Sequence, residues 1–471
     1  MLERCLRRHL SRGHSRDSHC DGRFRQHVHR LGRRLFGFFT ALRRQDGQKQ
    51  RRNGALRPIA PATYSGRIRT WTLRLAIAKK HGVILKSVGK RWFNGLRIST
   101  LSLPLLAPGC AHSLSADKCP IRTLADPSAP RVDIQYLGSG GYLVTRGSDV
   151  ALFAPVYSNP TAPEVFLGHE FRTEARLVDS LLPSQADKAQ AIIVGHSHYD
   201  HLLDTPWIAT HRAKSANIYG SSTMKHLLAS LRPEFEERTP ANKIVALDKE
   251  ADSKAWVPIP RSRMRLLAIP SEHADQFRIG IFGLVWPLHA FRGEVTEDAP
   301  ALPRRAAEWA EGRTFAYLLD FLDDSGKTEF RVYFQDSGTH VGVGFGPAPD
   351  DPDYRKVDVA LICGSGDFKG LDHPKGIVTH LQPRHVIVGH WEDFFVTQRA
   401  ICSEGEVRGL PREHPLQVVE AARAAQKSAN RKPSVYLPCP SASRFQVAID
   451  PLADQSKGKK ETTVYDCTKI R

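Results

Sequence analysis

The feature that most constrains this chain is a short apolar run that ends in a dense group of polar side chains. Residues 191–194 read Ala-Ile-Ile-Val, the pattern of a buried strand, and Gly195 ends the run. Four polar groups then follow within six positions: His196, His198, Asp200 and His201. Imidazole and carboxylate groups are ligands that suit zinc, manganese and iron ions. Because ordinary packing does not require this density of such groups, the segment predicts a metal site.

Charge is distributed unevenly along the 471 residues. The first 110 residues contain 25 Lys and Arg against 4 Asp and Glu, whereas the remainder contains 43 against 45. The near-neutral remainder lacks the electrostatic footprint of a nucleic-acid-binding domain, so nucleic acid is not an expected partner. Residues 1–85 are predicted to be a basic extension of low order. They are a basic arm for nucleic acid or an anionic membrane surface, a solvated disordered tail, or sequence translated upstream of the true start.

Residues 86–110 have the composition of a secretory signal. Lys86, Lys90, Arg91 and Arg97 precede a short apolar run, and small residues then lead to Cys110. The segment resembles a bacterial lipoprotein signal, in which the cysteine becomes the lipidated N-terminus. This predicts a periplasmic protein or a membrane-anchored lipoprotein attached through Cys110, and requires a start near Val83 or Val88. Without export, the protein would be cytoplasmic. The spacing of the eight cysteines neither demands nor excludes disulfides.

The folded domain is predicted to span residues 131–450, after a polar linker at 111–130 and before a polar tail at 451–471. Within it, apolar runs at 264–270, 330–335 and 385–389 each end close to a further metal-type ligand. These ligands are His273, Asp336 and His390. If the strands pack side by side, all seven groups meet at one edge, where Asp336 could bridge two ions.

The order of these motifs resembles that of the metallo-β-lactamase-fold hydrolases. The turn at 138–141 and the closing Gly389-His390-Trp391 are most similar to the branch containing N-acyl-phosphatidylethanolamine-hydrolysing phospholipase D and the ascorbate-6-phosphate lactonases. The resemblance covers about residues 131–396 and implies an α+β fold, a single-domain αββα sandwich. One departure is Ala154-Pro155, where the family often has Asp-Pro and a supporting hydrogen bond.

The resemblance also implies the ligand assignments. His196, His198 and His273 would hold one ion, and Asp336 would bridge to a second. The second would be held by Asp200, His201 and His390. The expected cofactors are two divalent ions, Zn²⁺ in the first instance, with Mn²⁺ or Fe²⁺ as alternatives.

The expected activity is metal-dependent hydrolysis of a phosphodiester, an ester or a lactone, and a phospholipid-type substrate would suit membrane attachment. A hydroxide between two ions would be the nucleophile, with Asp200 orienting it as well as ligating, so Ser197 and Cys363 are not needed as nucleophiles. The partner would then be a small-molecule or lipid substrate, and the oligomeric state stays open. Two alternatives are a nuclease of the same fold that uses the basic arm, and a non-catalytic metal-binding scaffold.

Overall fold

The computed structural model describes the chain from residue 111 onward, with gaps. The described residues are 111–115, 119–124, 126–233, 244–275, 277–281, 284–288, 290–340, 342–366, 371–403, 406–411, 415–451 and 460–463. All of them belong to one unit, Ser99–Arg471. The predicted basic extension at 1–85 and the predicted signal at 86–110 lie outside the described residues.

Strands supply most of the regular structure. In chain order they are β1 Ala111–Ser115, β2 Cys119–Arg122, β3 Arg131–Gly138, β4 Gly141–Arg146, β5 Asp149–Phe153, β6 Ala191–Ile193, β7 Asn217–Gly220, β8 Ile244–Ala246, β9 Val257–Ile259, β10 Met264–Pro270, β11 Phe277–Ile281, β12 Leu284–Leu288, β13 Phe315–Leu322, β14 Thr328–Gln335, β15 Val359–Cys363, β16 His385–Gly389, β17 Cys402–Ser403, β18 Glu406–Pro411, β19 Val435–Tyr436, β20 Arg444–Ala448 and β21 Lys460–Thr463.

The helices are mostly short. They are α1 Ala162–Phe166, α2 Ala175–Leu181, α3 Tyr199–Leu202, α4 Thr205–Trp207, α5 Ser222–Leu227, α6 Asp248–Ser253, α7 Lys375–Leu381, α8 Gln398–Ile401 and α9 Pro415–Ser428. Single turns of 3₁₀-helix lie at Ser184–Lys188, Ala229–Leu231 and Ala306–Glu308, and a π-helical turn follows α4 at Ile208–Arg212. Among the residues that the structure describes, no helix combines the length and apolarity needed to cross a bilayer.

Two large mixed sheets form the centre of the domain. The first has the order β21-β2-β20-β3-β4-β5-β6-β7-β8, and the second has the order β19-β16-β15-β14-β13-β10-β9. Strands β5 to β8 are parallel to one another, as are β14, β15, β16 and β19. In β15 and β16 all five residues are buried. This explains their continuous apolar sequences, since strands covered on both faces need no polar alternation.

Three apolar layers fix the architecture. The central layer joins side chains of both sheets, such as Phe153 and Phe334, whose ring centroids lie 4.7 Å apart. An outer layer covers the first sheet with α2, α3 and α5, and another covers the second sheet with α7 and α9. This arrangement confirms the predicted αββα sandwich.

Strand direction places the predicted ligands at one edge. Strand β13 is antiparallel to both β10 and β14, so β10 and β14 run in the same direction, and β16 is parallel to β14 through β15. The carboxyl ends of these three strands therefore meet at the same edge of the second sheet. These ends precede His273, Asp336 and His390.

The predicted linker at 111–130 and the predicted tail at 451–471 need correction. In the linker range, β1 pairs with β18, and β2 pairs with both β20 and β21. Strand β21 lies within the predicted tail. Cys119 of β2 forms a buried disulfide with Cys439. These partners are separated by hundreds of residues, so local periodicity, on which the prediction relied, gave no sign of them.

Candidate metal centre

The loop after β6 is held by backbone hydrogen bonds to neighbouring segments. The Val194 amide donates to the Tyr219 carbonyl at 2.9 Å, and the Ser197 amide donates to the Glu311 carbonyl at 2.9 Å. Helix α3 starts directly after His198 and carries the next two predicted ligands on its first turn. The loop and the short helix together aim all four polar side chains of the motif toward the second sheet.

All seven predicted ligands converge in one cluster. Ring centroids are 4.6 Å apart for His196 and His198, 4.5 Å for His196 and His273, 5.1 Å for His198 and His273, 4.4 Å for His196 and His201, and 4.8 Å for His201 and His390. The two predicted ligand sets, His196 with His198 and His273 and Asp200 with His201 and His390, are the two halves of the cluster. Asp336 contacts both halves, because Oδ1 lies 3.1 Å from His196 Nδ1 and Oδ2 lies 3.6 Å from His201 Nδ1. Asp200 Oδ2 lies 3.7 Å from His201 Nε2 and 3.5 Å from His390 Nε2.

The spacing of the ligand atoms suits metal ions. Ligand atoms of His196, His198 and His273 all lie within 4.8 Å of one another, and the same is true of His196, Asp200 and His201. The Nε2 atoms of His201 and His390 are 3.1 Å apart. Two nitrogens bound to one tetrahedral ion at about 2.0–2.1 Å would lie about 3.3 Å apart. The donor atoms therefore have the chemistry and spacing to hold a metal ion, and the two triplets share His196.

Hydrogen bonds to backbone carbonyls orient two of the imidazoles. His198 Nε2 lies 3.4 Å from the Phe291 carbonyl oxygen, so Nδ1 is the nitrogen left for a ligand. His273 Nδ1 lies 2.6 Å from the Ala274 carbonyl oxygen, which leaves Nε2. Metal-binding histidines usually donate their other N–H to such a group, which fixes the tautomer and the orientation of the ring.

Several buried polar atoms of the cluster have no hydrogen-bond partner among the described residues. They are His196 Nε2, His201 Nδ1, Asp336 Oδ2 and His390 Nδ1. Buried polar atoms in folded proteins are nearly always satisfied, so an orphaned group in a cluster needs an explanation. Metal ions would provide partners for Nε2 of His196 and Oδ2 of Asp336, and the residues present therefore fit such ions.

Burial sets the protonation of the imidazoles. It lowers the pKa of His196, His198 and His201 well below the usual value, which favours the neutral form that a metal requires. His390 differs: burial acts to lower its pKa, but the hydrogen bond and the charge of Asp200 outweigh burial and raise it. His390 therefore holds a proton more readily than the other three when no metal is bound.

The pKa values of the two carboxylates, Asp200 and Asp336, are shifted in opposite directions. Burial acts to raise the pKa of Asp200, but His201 and His390 outweigh burial and hold this pKa well below its usual value. For Asp336 burial prevails, and the pKa is raised. Asp200 is thus ionised at neutral pH even without a metal, as a ligand or a general base must be.

Gly195 makes room for Asp336. A Cβ at position 195 would come within 3.0 Å of three Asp336 side-chain atoms, closer than real Cβ atoms approach. The residue after β6 is therefore glycine because the carboxylate between the two halves of the cluster lies directly against its backbone.

Gly195→Ala is accordingly expected to displace Asp336 and to weaken metal binding about 10- to 100-fold, the range for altered support of a metal ligand. Metal titration of the purified variant tests this. Gly147→Ala, at a turn where φ is +57° and a Cβ would meet nothing within 4 Å, shows the effect of backbone strain away from the cluster. Metal affinity unchanged in Gly195→Ala would contradict the account of this position.

Other candidate residues have structural contacts. Asp204 Oδ2 accepts hydrogen bonds from the amides of Tyr157 and Ser158 at 2.7 and 2.9 Å, so it fixes the loop after β5. Tyr199 packs edge-on against Phe171, with ring centroids 5.4 Å apart. These contacts account for the burial of both side chains.

Residues that the sequence did not single out also border the cluster. Phe291 lies 6.2 Å from the ring of His198, and Phe394 lies 4.6 Å from the ring of His390. Glu392 is buried two residues after His390. For Glu392, the signal available in the sequence was its place two residues after the predicted ligand His390. No hydrophobic periodicity marks Phe291, Phe394 or Glu392 as a site residue.

Part of the chain matches a known family model. Residues 158–284 match the family model described as "Beta-lactamase superfamily domain". No curated protein matches the chain. The solved structures to which it is similar include Igni18, a metallo hydrolase from the archaeon Ignicoccus hospitalis, at 12% identity and a TM-score of 0.38, covering 67% of this chain and 98% of that chain. They also include CmlA, a diiron β-hydroxylase from Streptomyces venezuelae, at 13% identity and a TM-score of 0.35, covering 69% of this chain and 55% of that chain.

Proposed function

We propose that this chain belongs to the β-lactamase superfamily and is a metal-dependent hydrolase with a dinuclear centre. The observation that carries the proposal is the convergence of seven buried or half-buried ligand-type side chains from four strand ends. Their burial, together with the unsatisfied His196 Nε2 and Asp336 Oδ2, distinguishes this cluster from an exposed acidic or histidine-rich surface.

The proposed ligand sets follow the two halves of the cluster. His196, His198 and His273 would hold the first ion, while Asp200, His201 and His390 would hold the second, with Asp336 between them. Divalent ions supply Lewis acidity to such a site, lowering the pKa of bound water to about 7 and polarising the substrate oxygen. Zn²⁺ is the proposed metal because three of the ligands on one side are imidazoles, and Mn²⁺ and Fe²⁺ are alternatives.

The chain itself contributes an ionised carboxylate and aromatic surface. Asp200 is the proposed catalytic residue, because its lowered pKa keeps it ionised and its carboxylate faces the cluster, where it can accept a hydrogen bond from a water molecule and orient it. Tyr199, Phe291 and Phe394 line the neighbourhood of the ligands with aromatic surface. A water-poor site strengthens the interaction between these charges and a substrate.

The proposed substrate is an ester, lactone or phosphodiester with an apolar portion. The rings of Phe291 and Phe394 flank the cluster on opposite halves, beside His198 and His390. A phospholipid-type phosphodiester is the preferred member of this class, which agrees with the resemblance to the phospholipase D branch.

We further propose that the protein is exported and attached to a membrane through Cys110. Supporting this, the disulfide between Cys119 and Cys439 is buried, and disulfides persist mainly in oxidising compartments such as the periplasm. In that location a lipid substrate would be within reach of the anchored domain.

A substrate panel tests the proposed activity. Zinc-loaded protein is expected to hydrolyse a phosphodiester that carries a long acyl chain, and Asp200→Asn is expected to lower kcat by about 10²-fold, the cost of misplacing a reacting group. The panel compares short-chain and long-chain phosphodiesters, esters and lactones, before and after treatment with a chelator. Asp350→Asn, at an exposed position, is the matched control. Bound metal without turnover of any substrate would instead favour a metal-binding scaffold.

A further inference from the structure

A buried carboxylate that belongs to neither proposed ligand set lies directly behind the cluster. Glu392 is 0% exposed and follows His390 by two residues. Its oxygens accept hydrogen bonds from the Tyr136 hydroxyl, at 2.8 and 2.7 Å, and from the Trp391 amide at 3.1 Å. The Ser139 amide also donates to Oε1. A carboxylate that gathers three donors in the interior fixes the backbone segments that supply them.

Tyr136 extends this network to His390. While its hydroxyl donates to Glu392, the same oxygen accepts hydrogen bonds from the amide of His390 at 2.7 Å and from the amide of Gly140 at 3.3 Å. The side chain is 0% exposed, so no solvent can replace these contacts. Tyr136 therefore ties the backbone of His390 to the turn between β3 and β4.

The backbone of His390 needs such support. Its φ angle is +56°, in the left-handed region that residues with a Cβ rarely adopt. Residues in this conformation persist where their surroundings over-determine them, and they cluster at functional sites. At the same place, a Cβ on Gly140 would come within 3.3 Å of the His390 Cβ, so the turn packs directly against the ligand.

We infer that Glu392 and Tyr136 are positioning residues that hold His390 in the conformation that directs its imidazole at the second metal position. This inference rests on the proposed function. The first position depends on His196, His198 and His273, which follow β6 and β10, whereas the network ends on the backbone of His390 after β16. Loss of the network should therefore affect the two ions unequally.

The variants are Tyr136→Phe and Glu392→Gln. The first removes the acceptor of the His390 amide while keeping the ring. The second replaces one acceptor oxygen by an N–H₂ group, which in either orientation faces one of the amides of Ser139 and Trp391. Tyr219→Phe is the control, because Tyr219 is also buried and its hydroxyl accepts a hydrogen bond, from Asn217, outside the cluster.

The experiment is titration of metal-free protein with Zn²⁺ against a competing chelator, with near-ultraviolet circular dichroism to verify folding. Wild type and Tyr219→Phe are expected to bind two equivalents. In Tyr136→Phe and Glu392→Gln the second equivalent is expected to bind about 10- to 100-fold more weakly while the first keeps its affinity. Equal weakening of both equivalents, or wild-type affinity for both in the two folded variants, would overturn the inference. A wild type that binds no zinc would overturn the proposed function instead.

Discussion

Replacement of Asp336 by asparagine is expected to remove at least one metal ion and to lower turnover by about 10³-fold. The physical reason is the position of this carboxylate, whose two oxygens face His196 and His201 from opposite halves of the cluster. Asparagine keeps the shape but replaces a charged oxygen by an N–H₂ donor that cannot bind a cation. A metal contributes several kcal/mol of transition-state stabilisation, and each 1.36 kcal/mol corresponds to a factor of ten in rate.

Metal content and kcat, measured on the same preparation, test this expectation. Asp350→Asn, at an exposed position, controls for the change of charge. If Asp336→Asn kept both metal content and turnover, Asp336 could not lie between the ions. Loss of turnover with full metal content would assign Asp336 to catalysis rather than to metal binding.

Loss of the Cys119–Cys439 disulfide is expected to lower the free energy of unfolding by about 2–5 kcal/mol. The bond joins residues 320 positions apart and closes nearly the whole described domain into a loop. Without it, the unfolded chain gains conformational freedom, and β2 loses its covalent connection to the segment before β20. Both sulfur-bearing residues are fully buried, so the bond also contributes to packing.

Urea unfolding of the wild type and of the Cys119→Ser/Cys439→Ser double variant measures the difference. A reductant should destabilise the wild type and have no such effect on the double variant, which is the internal control. Identical unfolding midpoints for oxidised and reduced wild type would show that the bond does not contribute. That result would also remove the support that the disulfide gives to an exported protein.

Local sequence was sufficient to predict which side chains converge, because each group of candidate ligands follows the end of a strand. Four of the candidate ligands lie within the six residues from His196 to His201. The other three, His273, Asp336 and His390, each follow an apolar strand that could be recognised from its own sequence. Parallel strands bring their carboxyl ends to one edge, so the convergence followed from strand direction once the strands were identified.

What the sequence did not predict depends on distant partners. Strand β1 is recognised only through its pairing with β18, and β2 only through β20 and β21. The pairing of Cys119 with Cys439 could not be chosen among eight cysteines by spacing alone. The role inferred for Glu392 depends on Tyr136, which precedes it by 256 residues.

The central claim is that one cluster holds two metal ions, and zinc quantification combined with anomalous diffraction at the zinc edge tests it most directly. Our account predicts two ions per chain. One should be bound by His196, His198 and His273, and the other by Asp200, His201 and His390. Protein that retains no ion after saturation with zinc, or ions bound away from these side chains, would contradict it.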